Sequence, residues 1–262
     1  MIKTKKRVIP ALLFLGSLIG AIAISPCLAR ANAQSRPELL QNLTQLSTME
    51  QAREWATYYY LHPRPDLLPS ALDVFAKAGV LKSMESEGSL IAFMAQVCAA
   101  SPSPQLSSWV SAVAKNPENQ RVAFESALWI ANTVESRLAL TQLGHTETGD
   151  QKKAVNNMLA RTPPDLLQGE IASPAVVDAL WWSFYANGDA RFVERIISVL
   201  PMSKSEDAQQ ASIGRAAQSS LASNVIQHPK VMQICESSSW RLPSTERAML
   251  TQIIERAKEG QH

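Results

Sequence analysis

In the stretch "NGDARFVERIISVLP" (187–201), Phe192, Val193, Ile196, Ile197 and Leu200 return every three to four residues. Arg191, Glu194, Arg195 and Ser198 fill the positions between them. Apolar residues at that spacing share one side of an α-helix. "SLIAFMAQVCAA" (89–100), "VAFESALWIA" (122–131) and "AMLTQIIERA" (248–257) follow the same period. Alternating β-branched runs, the mark of half-buried strands, are absent. The pattern predicts an all-α chain of about nine to eleven helices, each of roughly 10 to 18 residues.

Punctuation agrees with the period. Asn116-Pro117, Thr162-Pro163 and Ser173-Pro174 each set a capping side chain before a proline. The missing N–H of proline costs nothing in a first helical turn. Asp189 and Ser244 are further predicted N-caps, and Gly79, Gly144 and Gly188 are predicted helix ends. Residues 203–223 ("SKSEDAQQASIGRAAQSSLAS") are poor in apolar side chains, which predicts a loop running into an exposed helix.

One pattern recurs. Shifted by 125 residues, "TYYYLHPRPDLLPSALDVF" (57–75) overlays "WSFYANGDARFVERIISVL" (182–200). Tyr59 meets Phe184, Tyr60 meets Tyr185, and Ala71 and Leu72 meet Ile196 and Ile197. The turn "LHPRPD" meets "ANGDAR", so a proline turn stands where the later copy has a glycine turn. The unit is apolar helix, short turn, apolar helix. A row of such hairpins buries each stripe against its neighbours, so the expected fold is an irregular α-solenoid of helical hairpins. An irregular α-helical bundle is the alternative. The tetratricopeptide and ankyrin consensus patterns do not occur. Residues 34–262 are read as one helical domain, with a weak division near 144–152 and an exposed segment near 203–223.

The N-terminus changes the reading of charge. Lys3, Lys5, Lys6 and Arg7 precede an apolar run over 8–24, and Ala31-Asn32-Ala33 closes the segment with small residues. That layout is a secretory signal peptide cleaved after Ala33, with Ala31 and Ala33 filling the peptidase pocket. The expected location is therefore the periplasm or the extracellular space. The alternatives are an uncleaved anchor through residues 8–24, or lipidation at Cys27, although Pro26 fits a lipobox poorly. The leader holds five of the 25 basic residues, so the remainder has 20 against 23 acidic residues, a net of −3. No Lys/Arg cluster remains to mark a nucleic-acid surface, so nucleic acid is excluded as the partner. A membrane is a partner only through an uncleaved leader.

Little in the chain resembles catalytic chemistry. A G-x-S-x-G elbow, a Gly-rich phosphate loop and a C-x-x-C pair are all missing. Glu85 and Glu87 are read as loop carboxylates with no apolar surroundings. His145, Glu147 and Asp150 match no zinc or calcium loop spacing. No metal or cofactor is expected. His62 and His228 each precede a proline and are read as corners between helices. Cys98 and Cys235 sit in apolar helical runs, as buried thiols or as a disulfide. Trp109, Trp129 and Trp240 are expected in the core. Trp181 and Trp182 point about 100° apart, so one of them faces outward. By the same rule Tyr58, Tyr59 and Tyr60 cannot share a face, and Tyr58 is the one expected nearest the surface.

The expected function is an exported, non-catalytic binding or scaffold module for a protein or peptide. Tyr58, His62, Arg64, Trp182 and Arg191 are its candidate contact residues. An all-α, hydrolase-like enzyme whose carboxylates meet only in the fold is the alternative. A further alternative is an envelope-anchored component of an assembly or secretion machine.

Overall fold

The structure, a computed structural model, describes residues 42–259. The expected leader, with Ala31, Ala33 and Cys27, lies outside the described residues. Among them are twelve α-helices and no strand. The first seven are α1 (Met49–Thr57), α2 (Leu68–Lys77), α3 (Met84–Ala99), α4 (Ser103–Val113), α5 (Glu118–Ala131), α6 (Val134–Gly144) and α7 (Gly149–Leu159). After an irregular stretch come α8 (Pro174–Asn187), α9 (Ala190–Ile197), α10 (Ala208–Gln227), α11 (Pro229–Ser239) and α12 (Ser244–Glu259). Short 3-10 turns occupy Pro65–Leu67, Val80–Lys82 and Leu200–Lys204. The chain is all-α, as its hydrophobic period predicts.

Local chemistry sets the helix ends. Thr48 and Gln51 form a reciprocal capping box at α1, as do Thr133 and Ser136 at α6. The Asp189 carboxylate accepts the Arg191 N–H at 2.9 Å and starts α9. Gly188 ends α8 in the left-handed region at φ 67°, where a side chain would be strained. Other expectations fail for visible reasons. Thr162-Pro163 starts no helix and lies in the irregular stretch before α8. Gly144 does end its helix, as the last residue of α6, but without a left-handed φ; what needs a glycine there is space, since a Cβ would stand 2.7 Å from a Val155 methyl. Glu85 and Glu87 lie within α3, not in a loop. Residues 208–223 are regular helix from the start, capped by the Asp207 carboxylate. Their core contacts are made by small residues, Ala211, Gly214 and Ala217, beside Ile213 and Leu221, so the apolar signal is thin.

Two buried clusters form the core. Trp55, Phe75, Phe93, Trp109 and Phe124 build the first. Trp181, Phe184, Ile196, Leu200, Leu221 and Leu250 build the second. Helix α8 serves both. Trp182 packs edge-on against Phe75 and Phe93 in the first cluster, at 5.8 and 5.9 Å between ring centres. Trp181 and Phe184 turn into the second, and Tyr185 touches each. Helix α8 lies along α3 in the most extensive helix pair and also touches α1, α9 and α10.

Buried positions recur at the spacing seen in the sequence. Leu67, Leu68, Ala71, Leu72, Val74 and Phe75 are buried, and so are the residues 125 positions on, from Phe192 to Leu200. In α4, Leu106, Trp109, Val110 and Val113 correspond to buried Val231, Ile234, Cys235 and Ser238 of α11 at the same shift. In α5, Ala123, Phe124, Ala127 and Leu128 correspond to buried Met249, Leu250, Ile253 and Ile254 of α12 at a shift of 126.

Candidate functional site

The residues singled out as contacts do not form one surface. His62 is exposed, and its N–H closes the turn onto the Tyr59 carbonyl at 3.1 Å. Arg64 pairs with Asp66 at 2.6 Å and donates to the Leu43 carbonyl at 2.8 Å, which pins the segment before α1. Arg191 is exposed and pairs with Asp189 at 2.5 Å. Each arginine holds its neighbouring aspartate below the ordinary carboxylate range through a side-chain hydrogen bond. Trp182 lies between α2, α3 and α8. Among the tryptophans expected in the core, Trp109 is buried and Trp129 half-buried, but Trp240 is 65% exposed. Its ring carries the Arg241 guanidinium at 4.5 Å. Trp240 caps the end of α11, beyond the last buried position at Ser238, and so projects past the core.

The tyrosine run has a partner that sequence reading missed. Tyr59 enters the first core against Trp55 and Phe93. Tyr58 and Tyr60 instead gather on His228, the residue read as a second corner. Its ring is fully buried and stacks on Tyr185 at 5.2 Å, with Tyr58 at 5.2 Å and Tyr60 at 5.8 Å. The Tyr60 hydroxyl is hydrogen-bonded to His228 Nδ1 at 3.1 Å, and the Tyr185 hydroxyl donates to Asn224 Oδ1 at 2.5 Å. The Tyr60 N–H also donates to the Tyr185 carbonyl at 2.9 Å. These bonds tie the end of α1 to α8, α10 and the start of α11. Burial holds His228 down to about 4, so the imidazole is neutral near pH 7. A neutral histidine is a competent base, but this one is closed to substrate. Its site is a joint. The only hint in the sequence is the pairing of Tyr60 with Tyr185 at a shift of 125; nothing there places His228 beside them.

A second titratable group is formed by α5, α7 and the turn that joins α6 to α7. Arg121 pairs with Glu147 through Nε at 2.6 Å and Nη2 at 3.3 Å. The Gln151 amide donates to Glu125 Oε2, and Glu125 Oε1 has no partner among the described residues. Burial pushes Glu125 up to about 7, and the Glu147 carboxylate adds to the rise. The Gln151 hydrogen bond and Arg121 oppose it. A carboxyl raised to about 7 beside a salt-bridged one is a pairing suited to acid–base work, yet Glu125 is 0% exposed and Glu147 6%. Asp150 pairs with Lys153 and His145 faces solvent, so the polar run 145–150 does not converge. Among the described residues no three His, Cys, Asp or Glu side chains gather as a metal site. Cys98 and Cys235 are free thiols buried in different clusters, and burial pushes both up.

An accessible concavity lies elsewhere. A cleft of about 330 Å³ runs between α10 and α12, lined by Arg215, Ser219, Ala222 and Ile226 on one wall and by Ile253, Arg256 and Ala257 on the other. Ile226 is 53% exposed, one of the few large apolar side chains so placed. Arg215 and Arg256 are exposed and form no ion pair with any described residue. The sequence hid this cleft because an apolar-poor helix reads as solvent-facing on all sides. Set against known proteins, the chain matches no family model, no curated protein and no solved structure.

Proposed function

We propose that the chain is an exported, non-catalytic helical-repeat module that binds a protein or peptide. One observation carries this reading: an accessible, largely apolar cleft is flanked by two arginines with no ion-pair partner among the described residues, whereas the two clusters able to move protons are buried. Large buried area with a few charged anchors is what protein recognition uses. The repeat character is supported by buried positions that recur at 125–126 residues in α2, α4 and α5 against α9, α11 and α12. Export is supported by the basic, apolar and small-residue layout of residues 3–33. Among the described residues no helix is long and apolar enough to cross a membrane.

Affinity capture of the tagged chain from its native envelope and medium tests the reading, with mass spectrometry of the chain's own N-terminus. The expected result is a chain beginning at Gln34 and a stoichiometric protein partner. A chain that begins at residue 1 and stays in membranes overturns export. Turnover of a substrate that is abolished by Glu125→Gln overturns the non-catalytic part.

A further inference from the structure

We infer that the α10–α12 cleft is the seat of an acidic, amphipathic α-helix from a partner protein; this rests on the binding reading above and names the partner's chemistry. The shape of the cleft points to a helix. Arg215, Ser219, Ala222 and Ile226 are spaced four, three and four apart, so they form a single stripe on α10 about 16 Å long. Ser219, Ala222 and Ala257 are small and allow a helix backbone to approach closely. An isolated row of small residues would mean little, but the middle of the same strip is covered in the first half. There the buried positions Leu90, Met94 and Cys98 of α3 correspond to Ala217, Leu221 and Val225 of α10 at a shift of 127. The same shift pairs Ala92 and Ala95 with Ser219 and Ala222. Ala92 and Ala95 are 3% and 0% exposed, on a helix that packs most extensively against α8, 14 residues long. Trp182 meets Phe93, and the Asn187 amide donates to Gln96 at 3.0 Å along that contact. Among the described residues no helix takes the corresponding place beside α10.

Charge decides what kind of helix fits. Arg215 is the one charged residue in the 20 residues of α10. Arg256 faces it across the cleft, and neither has a carboxylate partner among the described residues. Glu255 and Glu259 are on α12 but do not line the cleft. A ligand that covers the exposed Ile226 brings these two guanidinium groups into a less hydrated site, where carboxylates on its flanks give paired, oriented contacts. The concave stripe suits a helix better than the flat array of lipid headgroups.

The test uses the full chain as the cell processes it. Two 14-residue helix-forming peptides serve as probes, with an Ala/Leu stripe and either Glu or Lys on both flanks. Fluorescence anisotropy is expected to show the Glu peptide bound about tenfold or more tightly than its Lys twin. The double variant Arg215→Glu, Arg256→Glu reverses that order, while Leu61→Ser on a different exposed site leaves it unchanged. Equal affinity for the two peptides overturns the inference, as does binding to phosphatidylglycerol vesicles with no preference between peptides. Self-association blocked by the arginine reversals also overturns it, since the occupant is then a second copy. Photo-crosslinkers placed at Ile226 and at Leu61 separate this inference from the broader reading. A partner trapped from Leu61 but not Ile226 refutes the cleft and leaves the binding module standing. No partner trapped from either position, with nothing in affinity capture, refutes both.

Discussion

At the scale of single residues, the tyrosine run shows what a local pattern can and cannot say. The 100° rotation between neighbours requires Tyr58, Tyr59 and Tyr60 to diverge, and they do. Tyr59 goes into the first core, and Tyr58 and Tyr60 turn to His228. The histidine was illegible because His62 and His228 share the same His-Pro context, yet one ring is exposed and the other wholly buried. The difference comes from α8, which arrives beside His228 from another part of the chain and stacks Tyr185 on it. The Tyr60 hydroxyl is hydrogen-bonded to Nδ1 of this imidazole, whose Nε2 has no partner among the described residues. Tyr60→Phe therefore leaves a buried imidazole without a polar partner and should cost about 1–2 kcal/mol. Urea denaturation of a double-mutant cycle with His228→Gln checks this. The cost of Tyr60→Phe should shrink sharply when the imidazole is absent, and full additivity would show that the bond carries no weight.

At the scale of helices, legibility followed the size of the buried side chains. Helix α9 was plain because Phe192, Val193, Ile196 and Ile197 are all large and all buried. Helix α10 was obscured because it presses on the 3-10 turn at 200–204 at Gly214 and buries Ala211 and Ala217, which add little to any apolar count. Two helical glycines now make opposite predictions. A Cβ at Gly214 would overlap the backbone of Met202 and Ser203, whereas one at Gly88 meets nothing within 4 Å. Gly88→Ala in α3 should stabilise the fold by about 0.5–1 kcal/mol, the ordinary gain of helix propensity. Gly214→Ala should destabilise by about 1–3 kcal/mol despite the same intrinsic gain, because backbone must move to make room. Thermal melts of the two variants beside the parent chain decide the matter, and a stabilised Gly214→Ala would mean that α10 does not press on the turn in solution.

At the scale of the whole molecule, two cores are joined at His228 and one end is braced by the Glu125 cluster, and these two sites titrate in opposition. His228 is held down to about 4 by burial, against about 6.5 for an exposed histidine. Between those values the unfolded chain binds more protons, so this contribution is complete above pH 6.5 and is lost as the pH falls towards 4. Glu125 is pushed up to about 7 from 4.5. Over that window the folded chain binds more protons, so its contribution is complete below pH 4.5 and is lost as the pH rises through 7. The two slopes oppose one another between pH 4.5 and 6.5, and each is at most about 1.4 kcal/mol per pH unit. Asp66 and Asp189, held low by Arg64 and Arg191, act only in more acidic solution. The parent chain should therefore show a nearly flat denaturation midpoint across this window. Glu125→Gln removes the falling limb, so the variant should gain stability as the pH rises from 4.5 to 6.5. His228→Gln removes the rising limb and should lose stability over the same range. A Glu125→Gln profile as flat as the parent's would mean that Glu125 is ionised throughout in the folded chain, and that Arg121 and Gln151 outweigh its burial.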